Sequence, residues 1–261
     1  MKSKINITML RYFFSYLAIF LVLLIGFFFI LRINLTKVFT EHHGAQTAYY
    51  LETAVNQFNN EIDSLYSINS AMLSNISMIL VKYDEARFSS VIPQELQKYV
   101  IGKNYISSIV YIDKNHDNMY CYGKKYHTTY KDGIVKMVNA NKVQFIFDYT
   151  YYISNTYGRL IYLKDNAEYC LIYYPPNLKG SNYVSFFVLD INEIRTLCRN
   201  LLSDDTIAAA FISPNGDIIT GENTGLLLPH VSYTTQESGI VPIDNELSLC
   251  ISSEAFSGYK I

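Results

Sequence analysis

The chain has 261 residues, half of them apolar and 17% charged, with a formal net charge of -2. That share of apolar side chains excludes a disordered or low-complexity polymer, because burial can offset the entropy of ordering the backbone. A charge this near zero, with no long basic run, excludes binding by phosphate neutralisation, so nucleic acid is not expected as a partner.

Residues 1–11 form a short basic tail carrying Lys2, Lys4 and Arg11. Tyr12 to Leu31 (YFFSYLAIFLVLLIGFFFIL) then run without a charge, bracketed by Arg11 and Arg32. As a helix this run measures ~30 Å, one hydrocarbon core. It offers no small-x-small cleavage site, which separates it from a signal peptide. We read 12–32 as a transmembrane helix and the lipid bilayer as its partner. The basic tail places the N-terminus in the cytoplasm and everything from about residue 33 outside, on a chain that crosses once.

Residues 33–82 read as a long stalk helix. Apolar residues recur at Leu51, Val55, Phe58, Ile62, Leu65, Met72, Ile76 and Ile79, with Asn69 filling the one polar slot. Steps of three and four make this a heptad seam. It has two readings. One is a parallel coiled coil, hence a homodimer through the stalk, with Asn69 fixing register. The other is an amphipathic helix packed on its own domain, which suits residues 60 to 80 better; pairing suits the membrane-near part, which has less to pack on.

After Pro93 the pattern changes. Residues 94 to 103 read as a short helix. Ile106 to Ile112 reads as a strand, Asp113 to Asn118 as an Asx-rich turn, and Met119 to Gly123 as the hairpin partner. Asp132 to Asn139 is expected to be a short helix. Val143 to Ser154, Arg159 to Lys164, Glu168 to Tyr174 and Tyr183 to Leu189 read as further strands, rich in Tyr and Phe as a half-buried pleated surface requires. Asp190 and Glu193 form a capping box for a helix over 191–202. A second unit then opens with the strand 206–213, a Pro214-Asn215-Gly216 turn, a return at 217–220 and a last strand over 247–252; residues 221 to 245 carry no strand signal. The order of hairpins and helices predicts an α+β fold with an antiparallel sheet and helices on one side.

Cys121, Cys170, Cys198 and Cys250 are far apart and form no CxxC pair. That spacing argues against zinc, and the thiols read as small buried apolar residues, with disulfides left open. Neither HExxH, GxSxG, GxxxxGK[ST] nor GxGxxG occurs, and the five histidines form no catalytic or metal-binding cluster. The expectation is no enzyme, no cofactor and no metal.

Four segments together resemble a known architecture: YFFSYLAIFLVLLIGFFFILR, ISSIVYIDKNHDNMYCYG, YVSFFVLDINEIRTLCRNL and IAAAFISPNGDIIT. A membrane helix, a long exterior helix, a PAS-like antiparallel sheet module and a smaller second one is similar to the double Cache region of bacterial receptors. The likeness is greatest to the sensor half of membrane-bound AraC-type transcriptional regulators, or of sensor histidine kinases. It implies a membrane-distal Cache-like module over 83–203, a membrane-proximal and incomplete one over 204–261, and a small-molecule or peptide ligand. Within that frame Tyr111, Asp148, Tyr151, Arg159 and Tyr173 are the candidate ligand-binding residues: tyrosine joins an apolar ring to a polar tip, and Arg159 can hold a carboxylate with two bonds. Amino-acid-binding members use a Tyr, Arg, Trp and Asp constellation; this chain has no Trp, so that ligand class is not carried over. A second membrane helix and an output domain have no counterpart here. A membrane-anchored adaptor that binds another protein is the competing function.

Overall fold

The computed structural model describes residues 7–123, 125–152, 157–176, 181–201, 208–235, 238–242 and 248–261. They fall into two compact units, Met1–Thr47 and Ala48–Ile261. Helix α1 (Ile7–Lys82) contributes to both.

In the first unit Arg11–Leu35 is long and apolar enough to span a bilayer, and none of it is buried. Phe13, Leu23 and Phe28 are each more than 60% exposed. An apolar surface of this length with no protein against it needs a non-aqueous solvent, so the helix is an anchor of membrane-spanning length.

In the second unit the heptad stripe of α1 is covered by the chain's own sheets. Leu51, Val55, Phe58, Ile62, Leu65, Met72 and Ile76 are all buried. Asn69 is buried too, and its Oδ1 accepts from the Ser185 hydroxyl at 2.6 Å. Of the two readings of the stripe, the structure has the intramolecular one from Leu51 to Ile76, including the part nearer the membrane where pairing was expected. Asn69 fixes the register of a helix on a strand.

Helix α2 (Glu85–Val100) runs through Pro93, so it starts earlier than the sequence predicts. The proline removes one helical hydrogen bond. Phe88, Ile92, Leu96 and Val100, four apart, bury one stripe across both halves and hold them in line. Buried Glu95 accepts from Lys98, from Asn75 of α1 at 3.1 Å and from Tyr99 at 3.2 Å. Despite the opposing effect of burial, these donors hold its carboxyl below the usual carboxylate range.

Strands β1 (Ile106–Asp113) and β2 (Asn118–Gly123) form the expected hairpin. Strands β3 (Tyr126–Lys131), β4 (Ile134–Asn139) and β5 (Gln144–Asp148) make a separate antiparallel sheet. The helix expected over 132 to 139 is therefore corrected to a hairpin turn and a strand. Asp132 and Gly133 both have positive φ, 50° and 84°. An Asp-Gly pair in that conformation is a tight hairpin turn, and IVKMVN alternates as a strand does. β5 also ends sooner than predicted, in a 3-10 turn at Tyr149–Tyr152; Ser154 lies outside the described residues.

Strands β6 (Arg159–Asp165), β7 (Glu168–Tyr174) and β8 (Tyr183–Leu189) complete a five-stranded sheet of order β2-β1-β8-β7-β6. One of its faces packs on α1 and α2, and the other on the β3-β4-β5 sheet. Asp190 caps α3 (Ile191–Arg199), accepting from the Asn192 amide at 3.0 Å.

Beyond α3 come β9 (Ala209–Ile212), β10 (Ile218–Glu222), β11 (Gly239–Pro242) and β12 (Ser248–Ile251), in two two-stranded ladders. Among the described residues of 221 to 245, where no strand signal was read, lie two 3-10 segments and β11. Lys260 pairs with Ile212, and the Ser252 amide donates to the Ile261 carbonyl at 3.3 Å, so the last residues bridge the two ladders. Phe211 lies between Phe58 of α1 and Tyr259, with ring centroids 4.9 and 5.2 Å away. The architecture is α+β. All four cysteines are free thiols; Cys170 and Cys198 are buried, Cys121 and Cys250 half-buried.

Candidate functional site

β1, β7 and β8 are buried along almost their whole length. Alternation therefore sorts their side chains between two covered faces. Ile109, Tyr111, Tyr173 and Phe187 point to the helices. Val110, Ile112, Cys170, Ile172, Tyr174 and Phe186 point to the β3-β4-β5 sheet, which lies over them as a cap.

The centre of the space under the cap is apolar. Phe147 of β5 meets Phe186 of β8 edge to face at 5.0 Å, and Phe145 meets Tyr126 at 6.3 Å. Polar groups collect at the ends. On one side the Tyr130 hydroxyl donates to Asp117 of the β1-β2 turn at 2.8 Å and lies 3.2 Å from the Tyr149 hydroxyl. Burial, Tyr149 and Asp117 all push the Tyr130 phenol up. On the opposite side Glu168 accepts from Asn139 at 2.6 Å and from Asn141 at 3.0 Å. Lys125 reaches Asp190 across the margin. The cap is thus clasped to the sheet by hydrogen bonds at its rim and by ring packing in the middle.

Under the cap, burial pushes the Cys170 thiol up to about 12, against a hydrogen bond from Tyr126. That thiol stays protonated and behaves as an apolar group, not as a nucleophile. The Ser108 hydroxyl is buried with no hydrogen-bond partner. A buried donor left unsatisfied costs ~1–3 kcal/mol, so it is a point where a polar ligand atom would be stabilised. Among the described residues no three His, Cys, Asp or Glu side chains gather closely enough to hold a metal.

The five residues singled out from sequence are not brought together. Tyr111 and Tyr173 are on the helix-covered face: Tyr111 stacks on Tyr183 at 5.7 Å, and Tyr173 meets Phe256 edge to face at 5.7 Å. Burial, then Asp63 and Tyr66, push the Tyr173 phenol up to about 12. Asp148 ends β5 and accepts from the Thr150 amide at 2.9 Å, so it serves a local turn. Tyr151 is 77% exposed, and Arg159 is exposed at the start of β6. Between sheet and cap lie instead Ser108 and Tyr174 of the sheet and Tyr126, Tyr130 and Tyr149 of the cap segment. The missed signal was parity: Tyr174 and Cys170 share one face of β7, Tyr173 the other.

No family model and no curated protein matches the sequence. Solved structures do. The sensory domain of the Campylobacter jejuni chemoreceptor Tlp3 matches with a TM-score of 0.54 at 10% identity, over 86% of this chain and 94% of that one. The same domain with isoleucine bound gives 0.52 at 12%, over 86% and 93%. The ligand-binding domain of the Pseudomonas aeruginosa PAO1 amino acid chemoreceptor PctC, in complex with GABA, gives 0.50 at 14%, over 86% and 96%. The fold is that of the Cache-type, PAS-like sensory domains that the sequence resembles.

Proposed function

We propose that this chain is the extracytoplasmic sensing region of a transmembrane bacterial receptor that controls transcription, of the AraC-type first, with the input region of a sensor histidine kinase as the second reading. The observation that carries the proposal is the pairing of a sensory-domain fold with an unburied apolar helix of bilayer length. On this reading the N-terminus is cytoplasmic and residue 33 onward lies outside. Residues 83–203 act as the membrane-distal module and 204–261 as the proximal one. The chain performs no catalysis of its own.

The ligand is taken between the five-stranded sheet and its cap. The cap is held there by few polar bonds, and the rim tyrosines offer hydroxyls beside an apolar interior. A small molecule with an apolar body and one or two polar ends fits that chemistry. The related domains bind amino acids and GABA, which makes these the first compounds to try, although the lack of Trp removes one part of the amino-acid constellation. Binding between sheet and cap displaces β8, and the buried Asn69–Ser185 bond makes α1 move with it. Coupling of ~1–3 kcal/mol and helix shifts of ~1–2 Å are ordinary for such devices.

The test is a thermal-shift screen of the full chain in detergent with amino acids, GABA, organic acids and sugars. A hit is expected to raise the melting temperature, and Tyr130→Phe to weaken it. A screen in which every class leaves the melting temperature unchanged argues instead for the adaptor function. For topology, an impermeant thiol reagent applied to intact cells should label Cys250 once the exterior part is unfolded; labelling only after lysis would reverse the orientation.

A further inference from the structure

The five-stranded sheet has two edges, and the chain treats them differently. The β6 edge is shut by the molecule itself. The Leu160 amide donates to Ser257 Oγ at 3.1 Å, and the Tyr162 hydroxyl donates to Asp217 at 2.6 Å. The β2 edge pairs with β1 on one side, and among the described residues no strand pairs with it on the other.

Which groups of β2 face outward follows from register. The Lys114 amide bonds to the Asn182 carbonyl, so position 114, and with it 112 and 110, turn their peptide groups toward β8. Asp113, Tyr111 and Ile109 then turn theirs toward β2, where they meet Asn118, Tyr120 and Tyr122. Met119, Cys121 and Gly123 are left with N–H and C=O pointing away from the sheet. Met119 and Cys121 border a cleft of about 760 Å³. One wall is α2, with Glu85, Ser89 and Pro93; the other includes Thr128 of β3.

Open edges are normally guarded by charge, proline or a bulge, since they template pairing. From Asn118 to Gly123 there is neither a charge nor a proline, and the β1-β2 register is unbroken. No residue of β2 is fully exposed; the strand forms a floor between two walls.

We infer that the β2 edge takes up an extended segment of another polypeptide as a sixth strand, in the cleft between α2 and the margin of the cap. The three outward residues span ~13 Å, which about five extended residues cover. Main-chain bonds to Met119, Cys121 and Gly123 supply affinity. Glu85, which lines the cleft beside Asn118 at the turn end of β2, selects a lysine or arginine at that end of the segment.

The test pans a displayed library of random heptapeptides on the full chain in detergent. Enriched peptides are expected to carry a basic residue at one end and to slow exchange of the Met119, Cys121 and Gly123 amides at least tenfold. Cys121→Pro removes one outward N–H while leaving the β1 ladder intact, and should weaken binding at least tenfold at an unchanged melting temperature. Methylating alternate amides of the peptide should do the same without touching the protein. The inference is overturned if no peptide is enriched, if enriched peptides bind the proline variant or tolerate methylation equally, or if the three amides are already protected in the free chain. Protection that grows with protein concentration would make the occupant a second copy and overturn it as well.

Discussion

The two faces of the five-stranded sheet are equally apolar yet differently attached. On the side of α1 and α2 a buried bond ties Ser185 of β8 to Asn69 of α1, and part-buried bonds from Asn75 to Glu95 and Tyr99 tie the two helices together. The face toward the cap has its polar bonds at the margin, from Tyr130 to Asp117 and from Asn139 to Glu168. Polar bonds inside a packed face fix one geometry, because each is expensive to break without a substitute. Bonds at a margin can be exchanged for water. The first face is built to stay as it is, the second to be opened.

Core truncations give the largest test of that contrast. Phe187→Ala, on the face toward α1, should cost about 5 kcal/mol, and Phe147→Ala, under the cap, about 3 kcal/mol, since a margin-held cap can settle into the space. Denaturant unfolding of the two variants would read this, and the reverse order would break the comparison. Asn69→Ala should cost ~1–3 kcal/mol by stranding the Ser185 hydroxyl. Asn69→Leu combined with Ser185→Ala should recover most of that in the same assay. Tyr130→Phe should cost only ~0.5–1.5 kcal/mol, while hydrogen exchange quickens in β3 and β4 and stays unchanged in β1 and β8.

The smallest effect concerns pH. His116 Nδ1 lies 2.7 Å from Asp113, and that bond, then the charge of Asp113, raise the imidazole above its ordinary 6.5. A raised histidine stabilises the folded state fully below about 6.5, and that contribution fades as pH climbs through the higher folded value. His116→Gln should therefore lower the melting temperature slightly at pH 5.5 and leave it unchanged at pH 9. An equal shift at both values would assign the effect to packing.

Most strands and the long helix were legible because periodicity reports burial. The hairpin at 106–123 and the capped α3 followed from alternation, Asx residues and Asp190. Asp132-Gly133 was readable as a turn and IVKMVN as an alternating strand, so the helix expected over 132–139 took the wrong period. Pro93 misled because tertiary burial of Phe88, Ile92 and Leu96 overrides its local cost. The region under the cap was illegible for a different reason. β1 is buried at every position, so period two says which residues share a face and nothing about which face is which. Tyrosine occurs on both.

The stitching of Glu52 to Ser253 and of Asn59 to Phe256 joins positions 201 and 197 residues apart. Contacts so distant along the chain slow folding, since closure entropy is spent before they form. A polypeptide delivered from its N-terminus must hold the inner stripe of α1 uncovered until its final strands arrive. During that interval the nascent helix is a sticky amphipathic rod, and the chain's yield should depend on holdase chaperones more than its finished stability would indicate.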